Sequence, residues 1–185
     1  MKITWDRVQT WANDEDWVVY AMDQGQTPVL ADINPGKEEE SAPGPWGVAS
    51  DGFCVGLAMR WIGLRYKGQD YPYNPRTRVA NGEFWEATRD QNISRSTPGP
   101  WPSRFRTVMG QYGAPVDLKR CAEKRVPVSA KLLTEAIAAG DGLYYFELRR
   151  EGGAHALAIE SEGGRYHLFD SNEGHFLVKS LDRFQ

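Results

Sequence analysis

The chain has 185 residues, of which 41% are hydrophobic, and its net charge at pH 7 is −3. These values predict one globular domain with a sizeable core, and the absence of any Lys- or Arg-rich run argues against a nucleic-acid partner. No stretch approaches the roughly 18 apolar residues of a membrane span, and the amino terminus lacks the apolar core of a cleavable signal peptide, so we expect no integral membrane segment.

Residues 1–50 are predicted to form an N-terminal segment followed by a loop. The apolar run at residues 17–22 is typical of a strand or of a short buried segment. Residues 34–50 are rich in Pro, Gly and Glu, which predicts an exposed loop. Ser50 or Asp51 then supplies an N-cap for the element that follows.

Residues 51–140 are predicted to form the helical part of the domain. We predict helices at residues 54–66, 79–90 and 103–112, and from residue 129 to Gly140. The first of these begins at Cys54 and has one largely apolar face, which indicates a buried helix. The proline-rich stretches at residues 71–75 and 97–102 are read as connectors.

After Gly142 the pattern changes to short β-prone runs separated by glycine-containing turns. We predict strands at residues 143–148, 154–161, 165–170 and 175–179, which form an antiparallel meander within residues 141–185. Helices followed by a sheet indicate a single α+β domain over residues 1–185.

The chain has two cysteines, Cys54 and Cys121, and they lack the number and spacing of a disulfide framework or a structural zinc site. His155, His167 and His175 also lack compact metal-ligand spacing, so we expect neither a metal nor another cofactor. Cys121 lies in a polar stretch without a histidine signature nearby, which favours an incidental thiol.

Cys54 is the candidate nucleophile because it begins a helix. The positive end of a helix and a nearby imidazolium both lower the pKa of a thiol from about 8.5, and the N–H groups of the first turn can receive a developing oxyanion. Gly52, just before it, allows a sharp backbone turn. Because a lone buried cysteine is more commonly a small hydrophobic residue, position alone does not decide the role of Cys54.

Strand alternation predicts a histidine beside a carboxylate. It places His155 and Leu157 on one face of a strand, and Leu168 and Asp170 on one face of the next. If residues 161–164 form the hairpin turn, His155 and Asp170 are direct cross-strand neighbours on a core-facing side. Burying an unpaired carboxylate costs on the order of several kcal/mol of free energy. A carboxylate on a core-facing side therefore favours a His–Asp pair.

His167 alternates away from His155, and His175 follows the next turn, so neither is expected on that face. A His–Asp hydrogen bond that only satisfies the core is the alternative interpretation. A cysteine at a helix start upstream favours the catalytic one, because nucleophile, base and orienting group are the three parts that such chemistry requires.

Three sequence blocks resemble the YopT-like (YopT/AvrPphB) papain-fold cysteine protease effectors. They are Gly52-Phe53-Cys54-Val55-Gly56-Leu57 with Trp61 downstream, Gly153-Ala154-His155-Ala156-Leu157-Ala158-Ile159, and Asp170-Ser171-Asn172-Glu173-Gly174-His175-Phe176. The resemblance covers residues 52–178. It implies a papain-like fold and peptide cleavage without a metal, with Cys54 as nucleophile, His155 as base and Asp170 as the residue that orients the histidine.

The same resemblance implies a bacterial effector or toxin that is made in the bacterial cytoplasm and secreted or translocated into a target cell without a cleavable signal peptide. A protein substrate in that cell is the expected partner, with an immunity protein or chaperone as a further one. Papain-like enzymes usually supply an amide side chain to the oxyanion hole shortly before the cysteine, but residues 43–53 contain no Asn or Gln. Backbone N–H groups, Ser50 or a residue from elsewhere must then serve.

Two other functions fit the same residues. A glutamine deamidase or acyltransferase toxin uses the same three groups on a different bond or acceptor. A catalytically silent binding module retains the fold without the reaction. Mass spectrometry of a treated protein target separates the enzymes, and selective labelling of Cys54 separates both from the silent module.

Overall fold

The computed structural model describes residues 18–21, 54–71, 81–119, 121, 130–150 and 153–179. The helices are α1 (Cys54–Tyr66), α2 (Asn81–Ser96), α3 (Trp101–Tyr112) and α4 (Ala130–Ile137). The strands are β1 (Val18–Ala21), β2 (Gly142–Arg150), β3 (Gly153–Glu162), β4 (Arg165–Asp170) and β5 (Gly174–Val178). The loop predicted at residues 34–50 and the caps predicted at Ser50 and Asp51 lie outside the described residues.

The strands form one antiparallel sheet in the order β1-β5-β4-β3-β2. The predicted meander of β2 to β5 is confirmed. β1 comes from the N-terminal segment and pairs with β5, so the sheet is not confined to residues 141–185 as predicted. Within the run at residues 17–22, Val18–Ala21 form a strand, which is one of the two states predicted.

The hairpin between β3 and β4 corrects the predicted register. Its turn consists of Gly163 and Gly164 alone, whose φ angles of 54° and 80° suit the two-residue turn that requires positive φ at both positions. The strands therefore continue to the pair Glu162 and Arg165, and Asp170 lies opposite Leu157 rather than opposite His155. Because the slip is two residues, each side chain stays on its predicted face.

Two helix ends differ from the predictions near prolines. α2 continues past residue 90 to Ser96, and the hydroxyl and N–H of Thr97 both donate to the carbonyl of Ile93 at its end. α3 begins at Trp101, before the predicted residue 103, with Pro102 in its first turn. Proline is tolerated there because a first-turn N–H has no intrahelical partner.

α1 packs against the face of the sheet that carries Ala156, Ala158 and Phe169, and the indole of Trp61 stacks on the ring of Phe169 at 5.6 Å. This is the face opposite to the one that carries Leu157. The prediction that Leu157 lies on a buried side is correct, since it is 7% exposed, but that side is not the one that α1 covers. The sheet is therefore buried on both faces at β3.

α1 also packs against the other helices. The side of α1 that carries Gly63 lies against the ring of Tyr112 in α3, whose hydroxyl donates to the buried Asp90 of α2. Arg60 of α1 donates to the same hydroxyl over 3.2 Å. These contacts make α1 the central element between the sheet on one side and α2 and α3 on the other. Among the described residues, no helix combines the length and the apolar character needed to cross a bilayer.

Candidate active site

The orientation of α1 brings its first turn to the start of β3. At the other end of the helix, Nε of Arg65 donates to Oε2 of Glu160 over 2.8 Å. At its first residue, the thiol of Cys54 is hydrogen-bonded to the side chain of His155. α1 thus runs alongside β3 from His155 towards Glu160, and the nucleophile predicted from sequence meets the predicted base.

The imidazole of His155 also contacts the predicted carboxylate. Nε2 of His155 lies 2.8 Å from Oδ1 of Asp170. The two residues are diagonal neighbours across β3 and β4, a separation that a long or aromatic side chain can span. Because Nε2 is occupied by Asp170, Nδ1 is the nitrogen that remains for the sulfur of Cys54.

Asp170 is fixed by the turn that follows β4. Its Oδ1 also accepts the backbone N–H of Asn172 over 2.8 Å, the arrangement of an Asx turn. Asp170 is 2% exposed, and its Oδ2 has no hydrogen-bond partner within the part of the chain that the structure describes. The hydrogen bond from Asn172 therefore supports the orientation in which Oδ1 of Asp170 is directed at His155.

The surroundings of His155 favour its charged form. Burial by itself lowers the pKa of the imidazole, but hydrogen bonds to Asp170 and Cys54, and the negative charge of both partners, outweigh it. Together they raise the pKa of His155 from 6.5 to about 10. At neutral pH His155 is therefore an imidazolium that lies between the carboxylate of Asp170 and the sulfur of Cys54.

The other two histidines form a separate pair on the face of the sheet that α1 covers, so neither shares the face of His155, as predicted. Nδ1 of His167 lies 2.9 Å from Nε2 of His175, and the indole of Trp61 meets the His175 ring edge-on at 5.4 Å. Burial, and then the charge of His167 and Arg65, lower the pKa of His175 to about 3. Among the described residues, no group of three or more His, Cys, Asp or Glu side chains is placed to hold a metal ion.

Cys121 lies apart from this site, at the turn after α3, where its Sγ is 3.5 Å from the carbonyl oxygen of Asp117. Partial burial, and then the charge of Asp117, raise the pKa of its thiol. Neither cysteine forms a disulfide, and their surroundings differ: Cys54 contacts the imidazole of His155, whereas Cys121 contacts the carbonyl of Asp117.

The first turn of α1 offers fewer free donors than predicted. The N–H of Gly56 donates to Oε1 of Gln91 on α2 over 3.0 Å, inside the protein. It is therefore not available to an oxyanion, which leaves the N–H groups nearer to Cys54 for that role. Gly52 and Ser50, which the sequence also suggested for this region, lie outside the described residues.

Gln91 is the residue of this region that the sequence analysis missed. An amide side chain was expected within residues 43–53, where papain-like enzymes usually place one, whereas Gln91 lies on α2. The available signal was weak: α2 has buried polar side chains, namely Thr88, Asp90, Gln91 and Ser94, in place of an apolar stripe. Such a face does not show a helical hydrophobic period.

Comparison with known proteins agrees with this architecture. No protein-family model and no curated protein sequence is similar enough to this chain to count as a match. Among solved structures, the Pseudomonas avirulence protein AvrPphB is similar with a TM-score of 0.57 and 18% sequence identity, over 92% of this chain and 84% of that one. The YopT domain of the Pasteurella multocida PfhB2 toxin is similar with a TM-score of 0.42 and 16% identity, over 71% and 70% of the two chains. The α+β, papain-like fold predicted from the sequence blocks is therefore the fold of this chain, and it is shared with AvrPphB.

Proposed function

We propose that this protein is a cysteine protease in which Cys54 is the nucleophile, His155 the general base and Asp170 the residue that orients the imidazole. The observation that carries the proposal is the meeting of all three at one ring: Nε2 of His155 lies 2.8 Å from Oδ1 of Asp170, and the same imidazole is hydrogen-bonded to the Cys54 thiol. Nucleophile, base and orienting group are the parts that covalent catalysis by a thiol needs.

The reaction begins with transfer of the thiol proton of Cys54 to His155. The raised pKa of His155, about 10, keeps that proton on the imidazole at neutral pH. The sulfur then attacks the carbonyl carbon of a peptide bond, and the oxyanion that develops is received by backbone N–H groups at the start of α1. The imidazolium donates its proton to the leaving nitrogen, the C–N bond breaks, and a thioester links the substrate to Cys54.

Hydrolysis of the thioester uses the same residues, with His155 changing from acid to base. His155, now neutral, takes a proton from water, and the resulting hydroxide attacks the thioester carbonyl. The sulfur leaves as thiolate and the acid product departs. Asp170 holds the ring through both steps, because its Oδ1 is itself fixed by the N–H of Asn172.

We also propose that the substrate is a protein in a target cell, to which the chain is secreted or translocated after synthesis in a bacterial cytoplasm. Two observations support an effector or toxin of this kind: the three YopT-like sequence blocks, and a fold shared with a Pseudomonas avirulence protein. An immunity protein or chaperone would be a further partner.

The proposal is tested by incubating the wild type and Cys54→Ala with a complex protein extract and reading new peptide N-termini by mass spectrometry. A protease produces N-termini that are absent with Cys54→Ala. Cys121→Ala is the matched control and should cleave like the wild type.

Other outcomes contradict proteolysis. Conversion of glutamines to glutamates, or an acyl tag on a target without new N-termini, would identify the deamidase or acyltransferase reaction of the same triad. No change in any protein, together with unselective labelling of Cys54, would indicate a silent binding module.

A further inference from the structure

Gln91 is a fully buried polar side chain that contacts the helix of the nucleophile. It has 0% exposure, and its Oε1 accepts the N–H of Gly56, two residues after Cys54, over 3.0 Å. The first N–H groups of a helix have no intrahelical acceptor, so a side chain from another element must satisfy one that is buried. Leaving such a donor unsatisfied costs about 1–3 kcal/mol.

The contact is tight on the backbone as well. A Cβ atom at Gly56 would lie 2.0 Å from the carbonyl oxygen of Ala87 and 3.0 Å from Cβ of Gln91. The first turn of α1 therefore rests directly on the backbone of α2, one turn of helix from Ala87 to Gln91. The hydrogen bond and the close approach together fix where this turn lies.

The partner of Cys54 is held by different elements. His155 belongs to β3, and its ring is bound by Asp170 at the end of β4. The relative placement of sulfur and imidazole consequently depends on how the first turn of α1 is anchored, and the anchor on the α2 side is Gln91. A displacement of about 1 Å between reacting groups can cost about a hundredfold in rate.

We infer that Gln91 is a positioning residue of the proposed active site, which holds the first turn of α1 so that the sulfur of Cys54 meets the imidazole of His155. This inference rests on the proposed function and assigns a role to a residue outside the three sequence blocks. Gln91 acts through the backbone of Gly56 and does not itself touch the reacting atoms.

The test compares alkylation of Cys54 by iodoacetamide in the wild type, Gln91→Met and Gln91→Asn, from about pH 5 to pH 9, across the range in which thiols ionise. Met keeps the length but loses the acceptor, and Asn keeps the amide but is too short to reach Gly56. Both should slow alkylation at about pH 6.5 by about tenfold or more and move the profile towards that of an ordinary thiol, with a pKa of about 8.5. Cys121 in the same molecule is the internal reference and should not change.

Ser94→Ala is the matched control, because Ser94 is a buried polar residue on the same helix, 5% exposed. It should leave the profile of Cys54 within about twofold of the wild type, as expected for a residue with no effect on thiol ionisation. If Gln91→Met does not fold, Gln91→Asn decides the test, since it loses only one methylene.

The outcomes separate the two proposals. If Cys54 is reactive in the wild type and its pH profile of alkylation is unchanged in folded Gln91 variants, the role of Gln91 is overturned and the proposed function is not. A wild-type Cys54 no more reactive than Cys121 overturns the proposed function and the inference with it.

Discussion

His155 and Asp170 are joined by a hydrogen bond of 2.8 Å although they are not directly opposite each other in the sheet. Asp170 pairs with Leu157, so the imidazole reaches diagonally with its distal nitrogen, Nε2. This geometry leaves Nδ1 for Cys54 and places one charged ring between a sulfur and a carboxylate. The pH behaviour of the site follows from that ring.

Replacing Asp170 should lower the pKa of His155. In Asp170→Asn an acceptor remains but the negative charge is lost, so the pKa measured by NMR titration of the imidazole should fall well below about 10. Above the pKa of His155 the imidazolium is lost, so the high-pH limit of peptide cleavage should move down with it. Asp170→Ala removes the acceptor too and should slow cleavage by about a hundredfold or more.

Glu135→Gln is a suitable control for this experiment, because it removes an exposed carboxylate on α4. It should leave the His155 titration unchanged. A His155 titration in Asp170→Asn equal to that of the wild type would show that the carboxylate does not control the ring.

Acid should weaken the fold through His175. The unfolded imidazole binds a proton below about pH 6.5, whereas burial keeps the folded pKa near 3. The unfolded state therefore binds more protons between these values, and the free energy of unfolding should decrease as the pH falls from 6.5 towards 3, by up to about 1.4 kcal/mol per pH unit. His155 adds a slope of the opposite sign near the upper end of this window, because its raised pKa keeps the folded imidazole protonated while the unfolded one begins to lose its proton near pH 6.5.

Urea unfolding at several pH values between about 5 and 6.5, where most carboxylates do not yet titrate, measures this slope. His175→Gln should flatten it. An equal slope in the variant and the wild type would assign the acid sensitivity to other groups.

Three glycine-to-alanine variants should rank by the space around each glycine. Gly56→Ala drives a methyl to 2.0 Å from the Ala87 carbonyl oxygen, and backbone cannot move aside as a side chain does, so we expect a loss of about 3 kcal/mol in the free energy of unfolding. Gly63→Ala meets the Tyr112 ring at 2.4 Å and should cost about 1–3 kcal/mol, because hydrogen bonds to that ring's hydroxyl restrict its movement.

Gly110→Ala is the control within the same comparison, since no atom lies within 4 Å of its added methyl. It should stabilise the protein by about 0.5–1 kcal/mol, the usual gain from replacing glycine in a helix. The same urea titration measures all three variants, and a stability of Gly56→Ala equal to that of Gly110→Ala would contradict the packing of α1 on α2.

The sequence predicts the faces of the sheet better than its register. Alternation alone places His155 and Asp170 on one side, and an error of two residues in the hairpin preserves that result. The register itself depends on whether residues 161 and 162 belong to the turn, and the ability of Gly163 and Gly164 to form the turn alone decides this. Both glycines are visible in the sequence, but a four-residue turn at residues 161–164 fits the same alternation of side chains.

The placement of the helices relative to the sheet is harder to predict. Alternation separates His155 from the face that α1 covers, yet Cys54 reaches it because the first turn of α1 lies at the start of β3. The role of Gln91 and the pairing of β1 with β5 likewise depend on contacts distant in the chain. Local patterns carry no information about such contacts. The three candidate catalytic residues could therefore be predicted from the sequence, whereas the contacts that hold them in place could not.

The most direct test of the account is the rate at which iodoacetamide alkylates Cys54 relative to Cys121 near pH 6.5, in the wild type, His155→Gln and His167→Gln, each checked for folding. If Cys54, His155 and Asp170 form one catalytic unit, Cys54 should react about tenfold or more faster than Cys121 in the wild type and in His167→Gln, and the advantage should disappear in His155→Gln. Equal reactivity of the two thiols in the wild type, or an alkylation rate of Cys54 that is unchanged in His155→Gln, would contradict the account.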